Sequence, residues 1–150
     1  MKALIVIPTY NEKDNVCDII TDVLATGENI EVLIVDDNSP DGTGSLVRQM
    51  QQSNKRIHLI ERAGKMGLGT AYCAGFQYGL LHSYDFIFEM DADYSHDPKE
   101  IPRFLEEIKN ADLIIGSRYV SGINVVNWPM TRLLLSYFRS VERRGGKECR

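Results

Sequence analysis

The sequence predicts an α/β protein with a mostly parallel, doubly wound sheet carrying helices on both faces. Two observations predict it. Short apolar, β-rich runs alternate with stretches of helical periodicity from residue 3 to residue 115, the pattern of repeated strand–helix–strand units. Polar, chemistry-bearing residues cluster directly after the first, second, fourth and fifth of those runs, and in an open α/β sheet such positions share the carboxyl edge where ligands bind.

Each element follows from its local pattern. Residues 3–7 are an apolar run closed by Pro8, the first strand. Val16, Ile19, Ile20, Val23 and Leu24 recur at helical spacing and give an amphipathic helix. Residues 31–35 form a second buried strand ending at Asp36-Asp37. Asp41-Gly42-Thr43 reads as a turn feeding a helix cap, with Asp41 as the cap and Leu46, Val47 and Met50 on one face of the helix. Residues 57–60 are a short third strand. Gly67-Leu68-Gly69 opens a helix to about Leu81, whose small residues Ala71, Ala74, Gly75 and Gly79 permit close packing. Residues 84–90 are the fourth strand. Asp97-Pro98-Lys99-Glu100 has Pro at the first helical position and Glu at the third, a helix start with a capping-box layout. Its helix turns Ile101, Phe104, Leu105 and Ile108 inward, and residues 113–115 read as a fifth strand.

At 150 residues, 43% hydrophobic and 25% charged, the chain has the composition of one soluble globular domain. A net charge of −4 gives no general attraction to nucleic acid or to an anionic membrane. The charge is uneven. Residues 139–150 hold Arg139, Arg143, Arg144, Lys147 and Arg150 against Glu142 and Glu148, a local +3 that leaves −7 on the first 138 residues. Cys17, Cys73 and Cys149 are odd in number and widely spaced, which predicts free thiols in a reducing compartment. Met1-Lys2-Ala3-Leu4 runs into a strand without signal-peptide architecture, and no apolar run approaches the ~18 residues of a membrane span. The expected location is cytoplasmic, with a peripheral position at the cytoplasmic face of a membrane still open.

The most informative chemistry is Asp91-Ala92-Asp93, at the end of the fourth strand. In extended backbone, residues two apart point the same way, so Asp91 and Asp93 are expected side by side. Paired carboxylates suit Mg²⁺ or Mn²⁺, and such an ion fills its remaining positions with water and substrate phosphates. The plainer reading is a solvated acidic loop. Pro8-Thr9-Tyr10-Asn11-Glu12 can shape a nucleobase pocket, Tyr10 stacking and Glu12 accepting from base amino groups. The same residues fit a helix start in which Thr9 or Asn11 is the cap and Glu12 favours the positive helix end. Asp37 is placed for a ribose hydroxyl or base N–H, although Asn38, Ser39, Pro40, Asp41 and Gly42 are all turn formers.

Gly67-Leu68-Gly69, with Lys65 nearby, fits a helix N-terminus facing phosphate, but it is neither a Walker loop nor a dinucleotide fingerprint. His96 fits a ligand or base as well as a partly solvated loop histidine. Arg118, in Gly116-Ser117-Arg118-Tyr119, is a candidate phosphate clamp or a surface Arg paired with a carboxylate. Arg132 follows Trp128-Pro129 as a second cationic position beside an aromatic wall.

Taken together the motifs resemble the family-2 glycosyltransferases of GT-A fold and, within them, the polyprenol-phosphate (dolichol-phosphate) mannosyltransferases. The resemblance runs from residue 3 to about 136. It is carried by Pro8-Thr9-Tyr10-Asn11-Glu12, Val35-Asp36-Asp37-Asn38-Ser39-Pro40-Asp41-Gly42-Thr43, Lys65-Met66-Gly67-Leu68-Gly69-Thr70-Ala71-Tyr72, Met90-Asp91-Ala92-Asp93, Ser95-His96, Gly116-Ser117-Arg118-Tyr119 and Asn127-Trp128-Pro129. It implies a three-layer αβα domain and inverting transfer of a sugar from a nucleotide-sugar, GDP-mannose first among donors, to a polyprenyl or dolichyl phosphate. Pro8, Tyr10, Glu12, Val35 and Asp37 match positions that hold the nucleoside. Asp91, Ala92 and Asp93 match the metal and diphosphate positions, and Ser95 falls where some members supply a further metal ligand as Gln. Arg118 matches a residue near the reacting phosphates, which makes Asp93 and Arg118 the expected catalytic pair. Arg132 joins Arg118 at the expected acceptor phosphate.

Residues 1–136 are therefore expected to form the nucleotide-sugar-binding part of a GT-A domain that is incomplete at its C-terminal end. Residues 137–150 are expected to be a basic tail that does not match the family. An unfinished sheet would expose apolar surface and favour self-association. Two rival functions stand beside this one. One is a family-2 transferase using another nucleotide-sugar of the UDP-glucose type, or a saccharide acceptor; the other is a non-catalytic nucleotide-binding fragment.

Overall fold

Apolar runs buried on both faces dictate the centre of the molecule. In the computed structural model, which describes residues 1–116, β1 (Ala3–Thr9) and β2 (Ile30–Asp36) are the inner strands of a four-stranded parallel sheet. β3 (Ile57–Glu61) flanks β2, and β4 (Phe86–Glu89) flanks β1, in the order β3-β2-β1-β4. Register pairs Pro8 with Val35 and Val6 with Glu89. These elements lie in one compact unit, Met1–Ile114.

Alternation along the strands divides the core in two. Ile5, Ile7, Val32 and Ile34 face α1 (Val16–Ala25), α2 (Thr43–Ser53) and α4 (Ile101–Glu107), whereas Leu4, Val6, Leu33 and Val35 face α3 (Leu68–Leu81). This is the predicted three-layer αβα arrangement. The small residues of α3 do what their spacing suggested. A Cβ on Gly75 would collide with Val6, and one on Gly79 would lie 2.5 Å from Ile87, so the helix backbone rests directly on β1 and β4.

The sequence is corrected at several points. Residues 113–115 pair with no strand among the described residues, and Leu113 and Ile115 are 74% and 79% exposed. An apolar run such as Leu113-Ile114-Ile115 is a local signal, and a parallel strand forms only where a neighbour supplies the ladder and helices cover its faces. Neither Thr9 nor Asn11 caps α1. The Thr9 hydroxyl donates to Asp36, Asn11 takes φ 61°, and the helix starts after Asn15 with no side-chain cap. The capping box before α4 is half made. Asp97 Oδ1 accepts from Lys99 N at 3.0 Å, but Glu100 pairs with Arg103 instead of reaching back, and a short 3₁₀ turn precedes α4. Of the four residues expected inward there, Ile101 is fully buried, while Phe104, Leu105 and Ile108 are half-buried. Among the described residues no helix is long and apolar enough to cross a membrane, and Cys17 and Cys73 are free thiols.

At the amino edge of the sheet, Glu31 collects Lys2 Nζ at 2.6 Å, His58 Nε2 at 2.6 Å and the Tyr84 hydroxyl. Burial alone would raise its carboxyl, but hydrogen bonds from Lys2, Tyr84 and His58 outweigh it and hold the group at about 2, against an ordinary 4.5. A depressed carboxyl stabilises the fold above its unfolded value and loses that contribution as pH falls through its folded value. Urea unfolding should therefore show stability declining between pH 4.5 and about 2. Glu31→Gln should flatten that decline, and an unchanged profile in the variant would remove Glu31 as its source.

Candidate functional site

The parallel order turns back at β1: the chain moves outward through β2 and β3, then returns to β4 on the other side. In such sheets the usual ligand position lies at that reversal, beyond the carboxyl ends of the two strands that flank it, here β1 and β4. The reversal places the loop after β1 beside the loop after β4, with the loops after β2 and β3 completing the edge.

The first cluster forms around Asp36 and Asp37. Asp36 is buried and organises the edge: its carboxylate accepts from Thr9 Oγ1 at 2.9 Å, Ser39 N at 2.9 Å and Ser39 Oγ at 2.6 Å. Ser39 Oγ in turn accepts from Asn11 N at 3.0 Å. Asp41 is not the N-cap residue expected of it: Gly42 holds that position at φ 93° without a side-chain cap, and Asp41, one residue earlier, accepts from Thr43 N at 3.0 Å. Asp37 lies at the same edge, where Oδ1 pairs with Arg62 and Oδ2 accepts from Met66 N at 3.2 Å. Arg62 continues to Thr70 Oγ1 at 2.6 Å and Gly67 O at 3.1 Å. Tyr10 is 39% exposed, and Lys65 Nζ sits 4.3 Å from its ring centroid, so the predicted stacking face holds a cation–π contact. Glu12 is half-buried; its N–H donates to Thr43 Oγ1 and its carboxylate accepts from Asn15. Pro8 and Val35 lie opposite each other across β1 and β2, with the Val35 side chain wholly in the core.

The second cluster is the acidic loop, and here the expected strand geometry is corrected. β4 stops at Glu89, one further ladder bond runs from Met90 N to Val6 O, and residues 92–93 lie in a turn. Asp91 and Asp93 are therefore not aligned by strand alternation. The turn holds them instead. Ser95 N donates to Asp93 Oδ1 at 2.9 Å, Ser95 Oγ lies 3.5 Å from Asp91 Oδ2, and Asp91 N donates to His96 Nδ1 at 3.2 Å. Ala92 is buried against the helices on the α1 side. Tyr94 takes φ 57° and donates its hydroxyl to Asp22 on α1 at 2.8 Å. Burial and that carboxylate push the hydroxyl up to about 12.

Sequence reasoning missed two residues. Arg62 carries no local mark of burial, and its partner Asp37 is 25 positions away. Tyr72, on α3, donates to Asp91 Oδ1 at 3.0 Å. Its hydroxyl is raised by burial first, then by the charges of Asp91, Glu89 and Asp93. The sequence did mark it, as the last residue of the Lys65–Tyr72 motif that carries the family resemblance, but gave it no role. Arg118 and Arg132, the predicted phosphate cations, lie outside the described residues, as do Trp128 and the 137–150 tail.

Among the described residues, no three His, Cys, Asp or Glu side chains gather in a group able to hold a metal. Two carboxylates and a serine hydroxyl fit a divalent cation shared with substrate phosphates, the way Mg²⁺ is usually bound, and do not form an all-protein cage.

Residues 4–149 match the family model described as glycosyl transferase family 2. The chain is 47% identical over 137 residues to a polyprenol monophosphomannose synthase of Mycolicibacterium smegmatis, covering 90% of this chain and 52% of that protein. It is 44% identical over 141 residues to an undecaprenyl-phosphate mannosyltransferase of Micrococcus luteus, covering 94% and 58%. The chain thus spans about half the length of the curated relatives it matches. The solved structure of S. aureus TarS 1-349 superposes with a TM-score of 0.53 at 19% identity, over 81% of this chain and 40% of that one, a likeness of fold.

Proposed function

This chain belongs to glycosyl transferase family 2, and on that premise we propose that it is the donor-binding part of an inverting transferase that moves mannose from GDP-mannose to a polyprenyl phosphate. The observation that carries the reading is the meeting of two unlike clusters at one sheet edge. Tyr10, Asp37 and Glu12 offer an aromatic face and acceptors suited to a nucleoside, and Asp91, Asp93 and Ser95 offer oxygen donors suited to a metal-bridged diphosphate. The names of the two bacterial relatives support the lipid phosphate as acceptor.

The chemistry is consistent with these residues. A phosphate monoester has a second pKa near 6, so at pH 7 the acceptor is already an anionic nucleophile that needs no general base. One of its oxygens attacks the anomeric carbon, the bond from that carbon to the β-phosphate oxygen breaks, and the nucleoside diphosphate leaves with the electron pair. A divalent cation bound at Asp91 and Asp93 would neutralise charge on that diphosphate. His96, whose Nδ1 already accepts from Asp91 N, orders the loop. Arg118 and Arg132 are the proposed cations that offset repulsion between the two anionic substrates. A lipid acceptor also favours a cytoplasmic protein held peripherally at a membrane face.

Calorimetry with GDP and UDP, each with Mn²⁺, tests the donor. GDP should bind at least about tenfold tighter, a difference of ~1.4 kcal/mol. Radiolabelled transfer from GDP-mannose to a short polyprenyl phosphate, run beside UDP-glucose and saccharide acceptors, tests the rest. A preference for UDP or for a saccharide acceptor would replace this reading with another family-2 activity.

A further inference from the structure

We propose that Tyr72 is a positioning residue for the proposed metal–diphosphate site: its hydroxyl fixes Asp91 so that one carboxylate oxygen is turned toward Ser95 and the bound cation. The inference deepens the functional reading above and rests on it. The geometry is direct. Tyr72 donates to Asp91 Oδ1 at 3.0 Å, leaving Oδ2 near Ser95 Oγ at 3.5 Å. A ligating carboxylate with both oxygens unrestrained would rotate about its side-chain torsion; a donor on one oxygen selects one orientation and presents the other.

The packing explains why this tyrosine can reach. Gly75 and Gly79 let α3 lie with its backbone against Val6 and Ile87. Ala71 is buried beneath the same helix, and the Tyr72 ring packs on the cluster of Leu4, Val6, Leu33 and Val35. The ring is thus anchored in the core while its hydroxyl emerges at the end of β4. α3 also takes hold of the other half of the site, because Arg62 joins Asp37 to Thr70 and Gly67 at its first turn. One helix end therefore bears on both carboxylates, Asp91 directly through Tyr72 and Asp37 indirectly through Arg62.

Tyr72→Phe keeps the ring in the core and deletes only the hydroxyl, so the test does not depend on a variant that fails to fold. The readout is the Mn²⁺ concentration giving half-maximal GDP binding to the 150-residue chain, with guanosine binding measured alongside. Half-saturation should move about tenfold higher, the lower end of the cost of losing a supporting partner at a metal site, while guanosine affinity stays unchanged. In an Asp91→Asn background, Tyr72→Phe should add little, because its effect passes through Asp91. A Tyr72→Phe variant with lowered stability but unaltered Mn²⁺ dependence would make the hydroxyl merely structural and overturn the proposal. If Asp91→Asn also leaves the Mn²⁺ dependence intact, or the parent chain shows none, the metal-site reading falls and the proposal with it.

Discussion

Asp93→Ala should remove the Mn²⁺-dependent part of GDP binding, lowering affinity by about 100-fold in saturating Mn²⁺. That is the upper end of the cost of losing even a supporting partner at a metal site, and Asp93 is a proposed direct ligand. The turn that carries it makes alanine ambiguous by itself, since Asp93 Oδ1 also accepts from Ser95 N at 2.9 Å. Asp93→Asn resolves this: its amide oxygen can still accept from Ser95 while the charge is gone. Both variants should bind GDP as the parent does in EDTA, with Asn losing less fold stability than Ala. Equal GDP affinity of the parent chain in Mn²⁺ and in EDTA would rule out the assigned role of the acidic pair.

How much of this could be read beforehand depends on whether a feature is local. The double burial of β1 and β2 is written in continuous apolar runs, and the close approach of α3 in Ala71, Gly75 and Gly79, because periodicity and side-chain size are properties of one segment. Ending β4 at Glu89 is not local. It depends on where β1 stops offering partners and on the turn set by Tyr94 at φ 57°, so alternation extended past the real strand and misaligned Asp91 with Asp93. Residues 113–115 have the apolar run of a buried strand but no neighbour among the described residues. The cap of α1 failed for a related reason: Asp36, 27 residues away, claims the Thr9 hydroxyl. The edge position of Tyr10, Glu12, Asp37, Asp91, Asp93 and Ser95 was readable; the contacts that hold them were not.

Those contacts predict the second large effect, at a residue the motifs did not single out. Arg62 and Asp37 are both about nine-tenths buried, with side-chain exposures of 8% and 9%. Arg62→Ala would leave Asp37 with the Met66 N–H as its remaining described donor and would also withdraw hydrogen bonds from Thr70 Oγ1 and Gly67 O at the start of α3. Breaking a buried pair from one side typically costs about 3–5 kcal/mol, because the surviving charge stays desolvated without compensation. Urea unfolding of Arg62→Ala should show a loss in that range. Asp37→Asn in the same background should recover much of it, since a neutral amide needs no counter-charge, whereas the α3 contacts stay lost in both. A loss below about 1 kcal/mol would mean that the pair behaves like an exposed one, and Asp37 would then be held by the loop backbone. A loss that Asp37→Asn fails to recover would instead place the stabilisation in the Gly67 and Thr70 contacts, making Arg62 chiefly the clasp on the first turn of α3.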